Sequence, residues 1–175
     1  MIIFWFRRDL RLNDNHGFYK ALKYGKTVLP IFIYDTNITN RLEENDHRLK
    51  FISDAIKEMN SKLQSTNNKI FTLKGKPSDV LSQLINKYNI KAIFCNKDYE
   101  PYAKERDQDI VKMCDKQGVS YYSFKDHVIF EEDEIVKNDG TPYVVYTPYS
   151  KKWLEKFKES RLESYDSENH LHNLV

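Results

Sequence analysis

Ile2-Ile3-Phe4-Trp5-Phe6-Arg7-Arg8-Asp9-Leu10-Arg11 runs from five apolar residues straight into a cluster of charge. An apolar run of this length without alternation is the pattern of a strand buried on both faces. Residues 28–34 read as a second such strand, with Pro30 tolerable near its start or at an irregular edge. Between the two, Phe18, Ala21 and Leu22 share one side of a short helix ending near Gly25. Further on, Leu49, Ile52, Ile56, Met59 and Leu63 recur at alternating spacings of three and four, the clearest amphipathic helix in the chain. Ile70, Phe71 and Leu73 suggest a third strand, and Ser78 is placed to cap a helix carrying Val80, Leu81, Leu84, Ile85 and Tyr88. Residues 92–95 read as a fourth strand, 104–116 as a solvated helix, and 119–124 as a fifth strand. This strand–helix alternation, with connections long enough for crossovers, predicts an α/β fold. Its expected form is a doubly wound, mainly parallel five-stranded sheet with helices on both faces.

Past residue 124 the pattern changes. Residues 128–130 are short and apolar, 131–134 are acidic, Asn138-Asp139-Gly140 marks a turn, and Trp153, Leu154 and Phe157 mark a last helix. The polar tail reads as the start of a linker or a frayed end. The expected organisation is a sheet domain over 1–130, an extension of it over 131–162, and an interdomain linker beginning within 163–175.

Composition narrows the class. At 175 residues the chain fits one domain, and 40% hydrophobic residues argue against wholesale disorder. Five glycines and five prolines exclude a collagen-like or linker identity, and no apolar run approaches the roughly 20 residues of a membrane span. A soluble, cytoplasmic protein is expected. Lys plus Arg (28) nearly balances Asp plus Glu (26), which does not announce a nucleic-acid binder. Cys95 and Cys114 form no CxxC pattern and read as buried free thiols.

The familiar catalytic motifs are absent: GxGxxG after the first strand, GxxxxGK[ST], HExxH, a His/Cys zinc set and GxSxG. No catalytic residue and no metal ligand is therefore nominated. In a doubly wound sheet, ligands bind beyond the carboxyl ends of the strands. Residues 7–15, 35–46, 75–78 and 96–101 emerge there. Arg7, Arg8 and Arg11 read either as an anion holder or as an Arg–Asp network stitching the strand end to its loops. Arg48 reads as a surface charge or a ligand. Asp98 and Glu100 offer carboxylates at the sheet edge, with helix capping by Asp98 as the alternative.

Together these segments resemble the N-terminal α/β domain of the DNA photolyase and cryptochrome family. The resemblance rests on residues 4–15, on 29–35, on Arg48-Leu49-Lys50-Phe51-Ile52, on Asn96-Lys97-Asp98-Tyr99-Glu100-Pro101-Tyr102 with Arg106-Asp107, and on 146–153. It covers residues 1 to about 162. It implies a Rossmann-like domain with strand order near 3-2-1-4-5, ahead of a C-terminal FAD-binding helical domain that this chain does not include.

The implied function is that of the light-harvesting chromophore domain of a deoxyribodipyrimidine photolyase, a carbon–carbon lyase that repairs cyclobutane pyrimidine dimers in DNA using blue light. The chain alone is expected to be inert. The alternatives are the N-terminal domain of a photosensory cryptochrome, or a stand-alone nucleotide-binding or electron-transfer module. The resemblance further implies an antenna cleft of Phe32, Ile33, Arg48, Asp98 and Glu100. Its expected occupant is 8-hydroxy-5-deazaflavin, FMN or FAD, or no chromophore at all. Tyr102 and Ala103 stand where folate-binding members carry an Asn-Glu pair, so a folate is not expected. The expected partners are the FAD-binding helical domain and, through the whole protein, damaged DNA. A monomer with no membrane partner is expected.

Overall fold

The computed structural model describes residues 1–43 and 45–175. Glu44, within the 35–46 segment, lies outside the described residues. Five parallel strands, β1 (Ile2–Phe6), β2 (Val28–Asp35), β3 (Phe71–Gly75), β4 (Ala92–Asn96) and β5 (Ser120–Phe124), form one sheet in the order β3-β2-β1-β4-β5. The helices between them are α1 (His16–Tyr24), α2 (Thr36–Thr39), α3 (His47–Leu63), α4 (Pro77–Lys87) and α5 (Pro101–Gln117). The expected fold class and strand order are those observed.

The uninterrupted apolar character of β1 follows from its place at the centre of the sheet. Ile2, Phe4 and Phe6 pack with Phe18 and Leu22 of α1 and with Ile56, Met59 and Leu63 of α3. Ile3 and Trp5 pack on the other face with Leu81 of α4 and Ile110 of α5. Pro30 sits inside an interior strand, but pairing with β3 begins only at Ile31, which leaves the strand one open side at that residue. Lys76, not Ser78, is the N-cap of α4; Pro77 occupies the first helical position, where its missing N–H is no loss. Both cysteines are free and buried. Among the described residues, no helix is long and apolar enough to cross a membrane.

Residues Met1–Asp126 and Tyr165–Val175 form one compact unit, and His127–Ser164 another. In the second unit, Trp153 of α6 (Tyr146–Glu159) stacks on Phe157 at 5.0 Å and meets Phe130 edge-on at 5.4 Å. The units divide at 126 and 164, and residues 165–175 pack on the rest of the first unit. Ser167 is buried and donates to the Leu12 carbonyl (2.6 Å), Tyr165 stacks on His16 at 4.1 Å, and buried Leu174 bridges to Val28. Two leucines, Leu171 and Leu174, supply the apolar contact, too few to raise a periodic signal in a polar stretch. Leu174→Ala is expected to cost about 2 kcal/mol, the low end for a buried leucine, because the tail can peel away without unfolding the sheet. Amide exchange should accelerate from Ser167 to Leu174 while β1 stays protected; unchanged tail protection would refute the docking role.

Candidate functional site

The strand order reverses between β1 and β4, so the crevice at which doubly wound sheets bind ligands lies beyond Phe6 and Asn96. The chain's own side chains fill it. Asp9 accepts from the Arg7 backbone N–H (2.8 Å), the Asn15 amide (3.1 Å) and the Asn96 amide (2.6 Å). The free N–H groups that open a helix form an anion site wherever they face a ligand. At α1, His16 N–H donates to Asp126 (3.1 Å), Gly17 N–H to Asn96 (2.8 Å) and Phe18 N–H to Asn15 (3.0 Å). This helix start is closed. Gly17 makes the closure possible: a Cβ there would lie 2.5 Å from Asn96 Oδ1 and 3.0 Å from the Cys95 carbonyl oxygen.

Beside this network, Arg7 is buried, donating twice to Asp107 (2.8 and 2.7 Å) and once to the Asn96 carbonyl. Arg106 shares Asp107, with its Nε 3.0 Å from Oδ1. The two guanidiniums lie over the Trp5 ring at 5.0 and 4.9 Å. Burial opposes the Arg7 charge, the Asp107 carboxylate favours it, and on balance the Arg7 pKa is raised. Burial pushes the Cys95 thiol up despite the Arg7 charge nearby, so it is a protonated, inert thiol that contacts the Tyr121 hydroxyl at 3.0 Å. Of the two readings of the arginine cluster, the stitching network describes Arg7. Arg11 pairs with Asp126 at 2.8 Å.

The five residues of the implied cleft are placed as follows. Asp98 and Glu100 come together at the end of β4, where one arginine, Arg8, lies 3.6 Å from the first and 3.4 Å from the second. The side chain of Asp98 is largely covered and accepts from Glu100 N–H (3.3 Å); the N-cap of α5 is Glu100 itself. Arg48 is 71% exposed in the first turn of α3 and bonds Asp46 through Nε (2.9 Å) and NH2 (2.6 Å). Those side-chain bonds, with the Arg48 N–H, hold the Asp46 carboxyl down at about 2. Phe51, three positions along the same helix, is 73% exposed. Phe32 and Ile33 do not share a surface: Phe32 lies in the α1/α3 core and Ile33 in the α4/α5 core, both buried. Adjacent strand residues point to opposite faces, a constraint already visible in the sequence.

Two further residues, Arg8 and Tyr102, engage the loops at this edge of the sheet. Arg8 is 59% exposed and holds both carboxylates. Tyr102 donates to Asp35 (2.6 Å) and accepts from Asn37 (3.0 Å), tying α5 to the end of β2. The Asp35-x-Asn37 turn, closed by Asn37 N–H on Asp35 (2.9 Å), was a legible signal for that anchor.

Comparison with known proteins gives the family. Residues 2–167 match the model of the family described as DNA photolyase. The chain is 29% identical over 152 residues to a deoxyribodipyrimidine photo-lyase from a Synechococcus species, covering 87% of this chain and 31% of that protein. It is 29% identical over 145 residues to cryptochrome-1 of Erithacus rubecula, covering 82% of this chain and 23% of that protein. Among solved structures, an archaeal photolyase from Sulfolobus tokodaii, described with two FAD molecules and a novel light-harvesting cofactor, superposes with a TM-score of 0.73 at 26% identity, over 94% of this chain and 36% of that one. The chain thus spans about a third or less of the length of these relatives.

Proposed function

The chain belongs to the DNA photolyase family, and we propose that it is the N-terminal chromophore-binding domain of a photolyase that repairs cyclobutane pyrimidine dimers. Its partner in that reading is a C-terminal FAD-binding helical domain, through which damaged DNA is bound. A bound antenna chromophore would absorb near-UV or blue light and pass the excitation to that domain. The polar tail after residue 162 would lead toward the same domain. The observation that carries the reading is the cluster at the end of β4: two carboxylates held by a single exposed arginine, with Arg48 and Phe51 presented to solvent on one face of α3.

These groups fit a flavin or deazaflavin. Asp98 and Glu100 accept hydrogen bonds from a ring N–H or ribityl hydroxyls, and Arg8 and Arg48 bind carbonyl or phosphate oxygens. Phe51 offers an apolar surface to a planar ring. Phe32 packs in the core beneath α3, whereas Ile33 packs on the opposite face of the sheet. The flavin reading also draws on the two FAD molecules of the Sulfolobus tokodaii photolyase. Likeness to cryptochrome-1 keeps a photosensory role as the second reading. A stand-alone nucleotide-binding module is disfavoured, because the α1 N–H groups that would hold its phosphates are bonded within the chain.

Fluorescence titration with FMN, 8-hydroxy-5-deazaflavin and a reduced folate tests the assignment. Binding to the isolated chain is expected to be weak, since the ring is covered on one side only. Arg48→Ala should weaken FMN binding by about 1 kcal/mol, roughly fivefold. The low end of the range applies because the ligand competes with Asp46 for the guanidinium. Lys137→Ala should change little. Binding of the folate alone would sink the flavin assignment. Dimer repair restored by the helical domain would decide for photolyase over cryptochrome.

A further inference from the structure

We propose that the amino edge of the sheet, opposite the candidate chromophore site, binds single-stranded nucleic acid through its phosphates and one splayed base. The near-neutral total charge hides a polarity in the fold. Lys26, Lys69 and Lys91 lie in the loops entering β2, β3 and β4, and Lys87 and Lys116 in the last turns of α4 and α5. All five are exposed and, among the described residues, none is ion-paired. By contrast, Lys50, Lys57, Lys62 and Lys112 on the helix faces each hold a carboxylate. In residues 24–27, 64–70, 87–91 and 115–119 Asp115 is the single acidic side chain, and residues 174–175 join the same edge, where Val175 N–H donates to the Val28 carbonyl. Lysines in a last helical turn complement the helix dipole, which accounts for Lys87 and Lys116. It does not account for the three loop lysines.

The surroundings of these lysines select the polyanion. Two carry exposed rings beside them: Lys69 Nζ lies 5.1 Å from the Phe71 ring centre, and Lys87 Nζ lies 5.3 Å from that of Tyr88. Next to Lys69 and Phe71 is a cavity of about 500 Å³ lined by Asn60, Gln64, Asn67, Asn68 and Val175. Asn60 Oδ1 is engaged by Ile70 N–H (2.7 Å), which leaves its NH2 to donate. Asn68 Nδ2 is engaged by the Thr66 carbonyl (2.9 Å), which leaves its oxygen to accept. Carboxamides offering both donor and acceptor beside an aromatic ring suit the edge and face of a nucleobase. Lysines spaced around them suit the phosphate backbone. An anionic membrane would use the lysines but has no use for a carboxamide-lined cavity. A duplex keeps its bases stacked and out of reach. The contact requires no lesion and no flavin.

Fluorescence anisotropy of the 175-residue chain with a labelled single-stranded oligonucleotide, across a salt series, tests the surface. Binding at low salt should fall with rising salt. Lys26→Gln/Lys69→Gln/Lys91→Gln should weaken it at least tenfold and flatten the slope by about 2, from roughly 0.7 per lost phosphate contact. Phe71→Ala should weaken binding roughly fivefold or more with the slope unchanged, the signature of lost stacking. The charge-matched control, Lys50→Gln/Lys57→Gln/Lys112→Gln, should bind as the unaltered chain does. No binding at low salt, equal losses in both triple variants, or capture by phosphatidylserine vesicles without oligonucleotide binding would each overturn the proposal.

Discussion

Asp107→Ala is expected to destabilise the sheet domain by about 3–5 kcal/mol in urea unfolding, the range for removing one member of a buried ion pair. The size follows from what is left behind. Arg7 is buried, and its two bonds of 2.8 and 2.7 Å to Asp107 vanish together with those of Arg106. Two guanidiniums, both close to the Trp5 ring, would then lose the carboxylate they share. Trp5 emission should shift as its cover loosens, whereas half-exposed Trp153 lies in the other compact unit. Arg8→Ala, which breaks only long pairs made by an exposed guanidinium, should change stability by less than about 1 kcal/mol. A loss below about 1 kcal/mol for Asp107→Ala would mean that water already screens the pair, and the network would not be the anchor described.

Asn96→Ala is expected to cost about 2–4 kcal/mol, combining unpaired buried groups with a small cavity. Asn96 is buried at the end of β4, donating to Asp9 and Asn15 and accepting from Gly17 N–H. All three partners lose a bond that water cannot easily replace. Asn96→Asp should be worse at neutral pH, because it sets a second carboxylate 2.6 Å from that of Asp9. The introduced carboxyl would have a folded pKa raised by burial and by its like-charged neighbour. The folded state therefore gains protons as pH falls, and the variant should recover stability relative to the unaltered chain toward acid pH. Denaturant midpoints at two pH values read this directly. A gap that widens toward acid pH would show that the carboxylates do not interact.

What the chain made legible by itself was set by local spacing. The unbroken run 2–6 reads as a strand buried on both faces, and the three-and-four spacing from Leu49 to Leu63 as an amphipathic helix. Both arise from the fixed geometry of each element, so neither depends on distant residues. That Phe32 and Ile33 face opposite sides of the sheet was within reach by the same logic. The site was not. Arg7 meets Asp107 across 100 positions, Arg8 meets Glu100 across 92, and Asn15 N–H meets Ser167 across 152. No local periodicity encodes which carboxylate each arginine takes. Packing decided it, by burying Arg7 against α5 where only a charged partner offsets desolvation, and by leaving Arg8 and Arg48 in water where pairing is optional. The same holds for the amino edge. Its lysines are scattered from Lys26 to Lys116, and only the parallel winding, which returns every loop to one end of the sheet, brings them together.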